Sequence, residues 1–300
     1  MKLAFLCLPL ALCFSACATA PALNDDYDPV SQDFAQIDEA FPPSILELNF
    51  EAAGERLNGI LYQANGEGPH PTVVLLHGYP GNEKNLDLAQ SMRRSGYNVL
   101  FFHYRGAWAS GGSFSFSNVI EDVGYASDML RERAKDYRVD PDKLILIGHS
   151  MGGFAALHGA ANEESVNCVA ALAPADFGMV AGNPDAVEGL AKGAGALTML
   201  SGWTYETALH DMQENTARFG LFGLSDRLQE KSVLVIAGDR DSVLPPPVFH
   251  EPLVGHYAAS SEIDLEHHVL PGDHSFSESR IALSRVIIDW ADRCTSAPSE

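Results

Sequence analysis

The stretch LILIGHSMGGFAALHGA, residues 144–160, restricts the possible folds more than any other part of the chain. An apolar run of strand type ends at Gly148, and an Ala-rich run of helical type begins at Phe154. Between them Ser150 sits among Gly148, Gly152 and Gly153. A strand that turns this quickly into a helix brings the two backbones together, and side chains there would collide with their neighbours. The helix start also leaves backbone N–H groups close to the serine, where a developing oxyanion could sit. Alone, the pentapeptide is compatible with a plain glycine-rich turn. Its place between a strand and a helix makes it a candidate for chemistry.

The surrounding pattern supplies a scaffold. PTVVLLHG, YNVLFFHY, LILIGHS, VNCVAALAPA, SVLVIAGDRD and LEHHVLPGDH read as short strands. Helical stretches alternate with them: Lys84 to Ser95, then Asn118 to Lys135 with Asn118 as cap and Asp140-Pro141 as the break, then MGGFAALHGAA, and finally SESRIALSRVIIDWADRC. Ahead of these, ILELNFE and LNGILYQ flank the AAGER break and predict an antiparallel pair at a sheet edge. The alternation predicts an α/β fold, a mostly parallel central sheet with helices on both faces. It fails between Asp176 and Lys231, which predicts a small helical cap inserted at about residues 176–230. No internal repeat is present.

A serine hydroxyl is a poor nucleophile without a base, and the base needs an acid to orient it. Of the 11 histidines, His274 in LPGDHSF is the best placed. A loop past the last strand hangs over the carboxyl ends of the parallel strands, where Ser150 also sits. His267 and His268 fall inside the strand, point to opposite faces and read as structural. For the acid, IAGDRDSVLPP offers Asp239 and Asp241. Asp241 lies further into the loop and is better placed to reach across, whereas Asp239 is read as holding the turn. The chain order is then Ser150, Asp241, His274.

These elements, over roughly residues 44–293, resemble the α/β-hydrolase superfamily, whose order of nucleophile, acid and histidine they follow. LLHGYPG resembles that family's oxyanion loop, so the resemblance implies an oxyanion hole formed by the backbone N–H groups of Tyr79 and Met151. It also gives the Tyr79 hydroxyl a possible second role there and makes His77 structural. GHSMGG and HYRGAWASGGSFSFSNVIEDV are similar to the prolyl-oligopeptidase and dipeptidyl-peptidase branch, and in that setting Asp122 secures a helix or loop. No β-propeller precedes the domain, so a carboxylesterase or acyl-hydrolase is expected before a peptidase of short peptides. A fold used only for binding would commonly lack one member of the set, and none is missing. The resemblance implies an acyl-serine route with no metal and no organic cofactor. Trp203, Tyr205, Phe219 and Phe222 of the insertion either roof an acyl pocket or simply pack the cap onto the body.

The ends of the chain read differently. Lys2, the apolar stretch Leu3 to Phe14 and the small residues after it form a secretory signal pattern too short to span a bilayer. Two cleavage sites compete. The Ala18–Ala20 site would leave Pro21 after the cut, which is unfavourable. Phe14-Ser15-Ala16-Cys17 resembles a bacterial lipobox, with Phe14 where Leu is usual. The second is preferred, which predicts a signal over 1–16, lipid on Cys17, a tether over 17–43, the body over 44–293 and a tail over 294–300. The expected location is the bacterial envelope; Ala18 lacks the acidic character that resembles inner-membrane retention, favouring the outer membrane. The net charge of -21, from 40 acids against 19 bases, disfavours nucleic acid and anionic membrane surfaces as partners. A small ester or short peptide remains as partner, with the membrane reached only through the lipid. Cys168 reads as a buried apolar residue, and its distance from Cys294 argues against a disulfide framework.

Overall fold

A computed structural model describes residues 27–296. The signal segment 1–16, Cys17, the first part of the tether and residues 297–300 of the tail lie outside the described residues.

The apolar runs become the middle of one sheet: β3 (His70–Leu76), β4 (Asn98–Phe102), β5 (Val139–His149), β6 (Cys168–Leu172), β7 (Ser232–Gly238) and β8 (Asp264–Leu270). Ahead of them, β1 (Ser44–Ala52) and β2 (Glu55–Gln63) pair antiparallel. The sheet runs β1-β2-β4-β3-β5-β6-β7-β8, antiparallel across its first three strands and parallel from β4 onward. β4 and β6 are buried along their whole length, as expected of strands covered on both faces.

The period of two in β5 divides the core. Leu144 and Leu146 face one side, with α2 (Phe116–Glu132) and α4 (Met151–Asn162), while Ile145 and Ile147 face α1 (Leu86–Arg94) and α9 (Arg280–Ser296). Phe116, Val123, Phe154 and Leu157 fill the first layer, and Met92, Leu283, Ile287 and Trp290 the second. Fully burying such a side chain contributes about 1.5–3 kcal/mol.

Two boundaries differ from the sequence expectation. The cap of α2 is Ser115, whose hydroxyl accepts the Asn118 N–H at 3.0 Å, so Asn118 lies inside the first turn. The helical stretch stops before Asp140-Pro141: a short helix α3 (Ala134–Tyr137) ends at Arg138 in the left-handed region, and β5 already begins at Val139. The register between β3 and β5 slips between Val139 and Leu144, and this irregularity accommodates a proline that has no N–H to give.

Between β6 and β7 stand α5 (Phe177–Ala181), α6 (Pro184–Ala194), α7 (Tyr205–Glu214) and a 3-10 turn, Phe222–Arg227. Buried Asp211 on α7 accepts the Phe116 N–H at 2.8 Å and the Ser117 hydroxyl at 2.6 Å, tying this insertion to the start of α2. Helix α8 (His250–Ala258) follows β7.

The reading of the cysteines is corrected, and residues 27–43, part of the expected tether, are held against the body. The Arg94 guanidinium donates to Pro29 O and Val30 O, Arg285 pairs with Asp28 at 2.7 Å, and Arg138 donates to Phe41 O. A segment without periodicity is thus held through its carbonyls and the Asp28 carboxylate, which periodicity does not report. Cys168 and Cys294 form a disulfide with Cα atoms 6.2 Å apart across 126 residues. The fold brings the start of β6 to the end of α9, so sequence distance was no guide.

A cross-link closing so long a loop is worth up to about 5 kcal/mol by loop entropy, and native bridges commonly deliver about 2–4. Replacing both cysteines by serine should lower the urea midpoint by a corresponding amount without changing the far-UV circular dichroism of the folded protein.

Candidate active site

Ser150 is the last residue before α4 and takes φ 57°, ψ −117°. A non-glycine residue there costs about 1–3 kcal/mol and persists only where its surroundings over-determine it. They do so here. The Ser150 N–H donates to Leu172 O on β6 at 2.8 Å, and its carbonyl accepts the N–H groups of Phe154 and Ala175, each at 3.1 Å. The flanking glycines make room. A Cβ on Gly148 would lie 1.9 Å from Gly152 O, and one on Gly152 would lie 2.0 Å from Leu76 O.

His274 projects from the loop after β8. Its Nδ1 donates to Asp241 Oδ2 at 2.7 Å, which leaves Nε2 as the acceptor nitrogen. The Asp241 side chain is fully buried in the loop after β7. Burial alone would raise its carboxyl, but the His274 hydrogen bond and the Leu244 and Val243 N–H groups, both at 2.8 Å, outweigh it and hold it below the usual range. Asp239 accepts the Gly272 N–H at 2.8 Å and so joins the two loops without touching His274.

The elbow and the His274 loop meet through His149, whose Nε2 donates to His274 O at 2.7 Å. No hydrogen bond joins Ser150 Oγ to His274 Nε2; such contacts are commonly loose without substrate and tighten in the complex.

Opposite the elbow runs the loop after β3. A Cβ on Gly78 would approach Ser150 Cβ to 3.1 Å, so Tyr79 follows directly on the residue facing the serine. Neither the Tyr79 N–H nor the Met151 N–H, the first of α4, is taken up by a backbone carbonyl outside the helices and strands. The Tyr79 hydroxyl is engaged elsewhere, accepting Trp203 Nε1–H from the insertion at 3.0 Å, and burial raises its pKa so that it keeps its proton. Buried His77 donates from Nδ1 to Gly78 O at 2.8 Å and is pushed down to about 4 by burial, a neutral strut in the same loop. Asp122 accepts the Arg105 backbone N–H and Nε–H and anchors the loop after β4 to α2.

The insertion's aromatics divide. Trp203 and Phe219 are buried against Phe114, Phe116 and Phe154, so they pack the insertion onto the body. Tyr205 is exposed and donates to Glu188, and Phe222 lies tilted against His256. Among the described residues no group of three His, Cys, Asp or Glu side chains is placed to hold a metal ion. Two residues that hold the loop carrying His274 were not singled out from sequence. His149 lies inside the elbow motif itself. Arg280 donates to Ser275 O at 3.1 Å and to Asn85 and Asp87, and its signal was only a cation at the start of α9.

A family profile described as "Serine aminopeptidase, S33" matches residues 67–199, under half of the chain. That span includes Tyr79 and Ser150 and ends before Asp241 and His274. An uncharacterised protein of Salmonella typhimurium, YfhR, is 35% identical over 98 residues, 32% of this chain and 32% of its own length. The match therefore spans about a third of that relative. Among solved structures, the esterase Pf2001 of Pyrococcus furiosus superposes with a TM-score of 0.61 at 17% identity, covering 86% of this chain and 94% of its own. The acylaminoacyl peptidase of Pyrococcus horikoshii superposes with a TM-score of 0.63 at 13% identity, over 86% of this chain but 42% of its own. At such identities these likenesses bear on the fold.

Gly148→Ala would force the elbow apart. The expected loss is about 2 kcal/mol or more, read as a lower urea midpoint at unchanged slope, because no rotamer change can relieve a Cβ against backbone.

Proposed function

We propose that the chain is a member of the α/β-hydrolase superfamily and a serine hydrolase that cleaves carboxylic esters through an acyl-serine intermediate. The observation that carries this reading is the Asp241–His274 hydrogen bond standing beside a serine held at φ 57°. A carboxylate held below its usual range by the His274 hydrogen bond and by its own loop's N–H donors fixes the imidazole with Nε2 as the acceptor, as a general base requires.

The steps follow from the atoms present. His274 Nε2 takes the proton of Ser150 Oγ as that oxygen bonds to the acyl carbon. The carbonyl oxygen becomes an oxyanion between the Tyr79 and Met151 N–H groups, where one such donor is typically worth about 3 kcal/mol of barrier. Collapse of the adduct expels the alcohol oxygen, which takes the proton from His274. Water then enters by the same route, frees the acid and restores Ser150. Asp241 stays ionised throughout and stabilises the imidazolium.

A serine peptidase acting on short peptides is the second reading, favoured by the profile description and by the superposition on the acylaminoacyl peptidase. Matched ester and amide substrates separate the two. We also propose that the protein is exported and anchored at the bacterial envelope through lipid on Cys17. The Cys168–Cys294 disulfide supports an oxidising compartment. A Cys17→Ala variant should fail to incorporate radiolabelled palmitate and leave the membrane fraction; unchanged incorporation and fractionation would end the anchoring proposal.

The catalytic reading is tested on the protein lacking residues 1–17, with a fluorophosphonate probe and p-nitrophenyl butyrate. Wild type should label and turn over. Ser150→Ala and His274→Ala should lose labelling and reduce kcat by about 10⁴-fold or more, and Asp241→Asn by about 10³–10⁴-fold, because the wrong tautomer then faces Ser150. Equal labelling of wild type and Ser150→Ala would end the proposal.

A further inference from the structure

The residue before the candidate nucleophile makes a contact that the reaction scheme does not use. His149 ends β5 and is 4% exposed. Its Nε2–H donates to the backbone carbonyl of His274 at 2.7 Å, and its ring lies against the His274 ring with centroids 4.7 Å apart. From Ser150 the path to His274 is therefore one peptide bond, one side chain and one hydrogen bond. Ser150 itself is fixed by β6, and the His274 loop is otherwise held from other directions: the Asp273 carboxylate accepts the Ser275 and Ser277 N–H groups, and Arg280 holds Ser275 O. Among the described residues, only the His149 bond ties the loop to the elbow at the residue that carries the base.

The other ring nitrogen argues against a purely stabilising role. His149 Nδ1 is buried and has no hydrogen-bond partner. Its surroundings belong to the oxyanion loop, since a Cβ on Gly78 would come within 3.4 Å of it. A buried acceptor left unpaired costs about 1–3 kcal/mol, a cost that an apolar ring of the same shape would avoid. Burial and the neighbouring His274 push His149 down to about 4, so it stays a neutral single donor and adds no charge beside the imidazolium that forms on His274.

We infer that His149 is a positioning residue: its hydrogen bond to His274 O sets the base in register with the Ser150 elbow. This rests on the serine-hydrolase reading for its catalytic consequence, while its structural consequence stands apart from it. A displaced base loses rate because proton transfer demands hydrogen-bond reach, and a misplacement of about 1 Å can cost about 10²-fold.

The test compares His149→Phe, which keeps a stacking ring but cannot donate, with His149→Gln, whose amide can donate from a similar reach. Turnover of p-nitrophenyl butyrate is measured with the downfield proton signal of His274 Nδ1–H and the urea midpoint. The Phe variant should keep its urea midpoint and KM, lose about ten-fold or more in kcat, and show the His274 proton shifted or lost to exchange. The Gln variant should recover both the rate and the signal. A Phe variant with wild-type rate and an unmoved His274 proton would overturn the inference, as would a Gln variant as impaired as Phe. If wild type neither turns over nor labels with fluorophosphonate, the serine-hydrolase reading fails. The His274 proton in the two variants then still decides whether His149 positions that ring.

Discussion

The backbone of Ser150 is the constraint from which the rest of the site takes its geometry. A residue at φ 57° is stable only if both its neighbours and its hydrogen-bond partners are rigid. β6 supplies the partners through Leu172 and, just past its end, Ala175. β3 supplies the ceiling, since Leu76 O lies where a side chain on Gly152 would have to go. The strain is thus distributed over three parallel strands buried on both faces, and the apolar alternation of β5 is what lets helices close over both sides at once.

Polar groups around this core, buried at Asp122 and Asp211 and exposed at Asp239, act as fasteners. Asp122 with Arg105, Asp211 with Phe116 and Ser117, and Asp239 with Gly272 each secure a loop that a hydrophobic contact would leave free to slide. Hydrogen bonds from backbone N–H groups are directional, and a buried acceptor left without them is costly. Asp241 differs from these in one respect. Two of its bonds come from its own loop and the third comes from His274, so the fastener also orients a titratable ring. At the outer surface, arginines Arg94, Arg138 and Arg285 perform the equivalent task for residues 27–43, and the Cys168–Cys294 bridge does so for α9.

Local pattern exposed much of this. The alternating strands and helices, the antiparallel edge pair and the strand–turn–helix around Ser150 all arise from periods of two and 3.6 and from glycine's lack of a Cβ, which neighbouring residues suffice to reveal. Boundaries were less visible. The Ser115 cap and the early start of β5 depend on which hydroxyl reaches an N–H and on where a bulge absorbs a proline.

The sequence by itself determined the class of fold, the corner that holds Ser150 and a short set of candidates to stand with it, because these are properties of short segments. Tertiary structure decided which carboxylate meets the imidazole, that Cys168 bonds to Cys294, that Trp203 and Phe219 pack the insertion onto the body, and that His149 reaches His274. Each of these is a contact between segments distant in sequence. Its existence depends on a separation of a few ångströms set by the packing of the whole sheet, which no local period encodes.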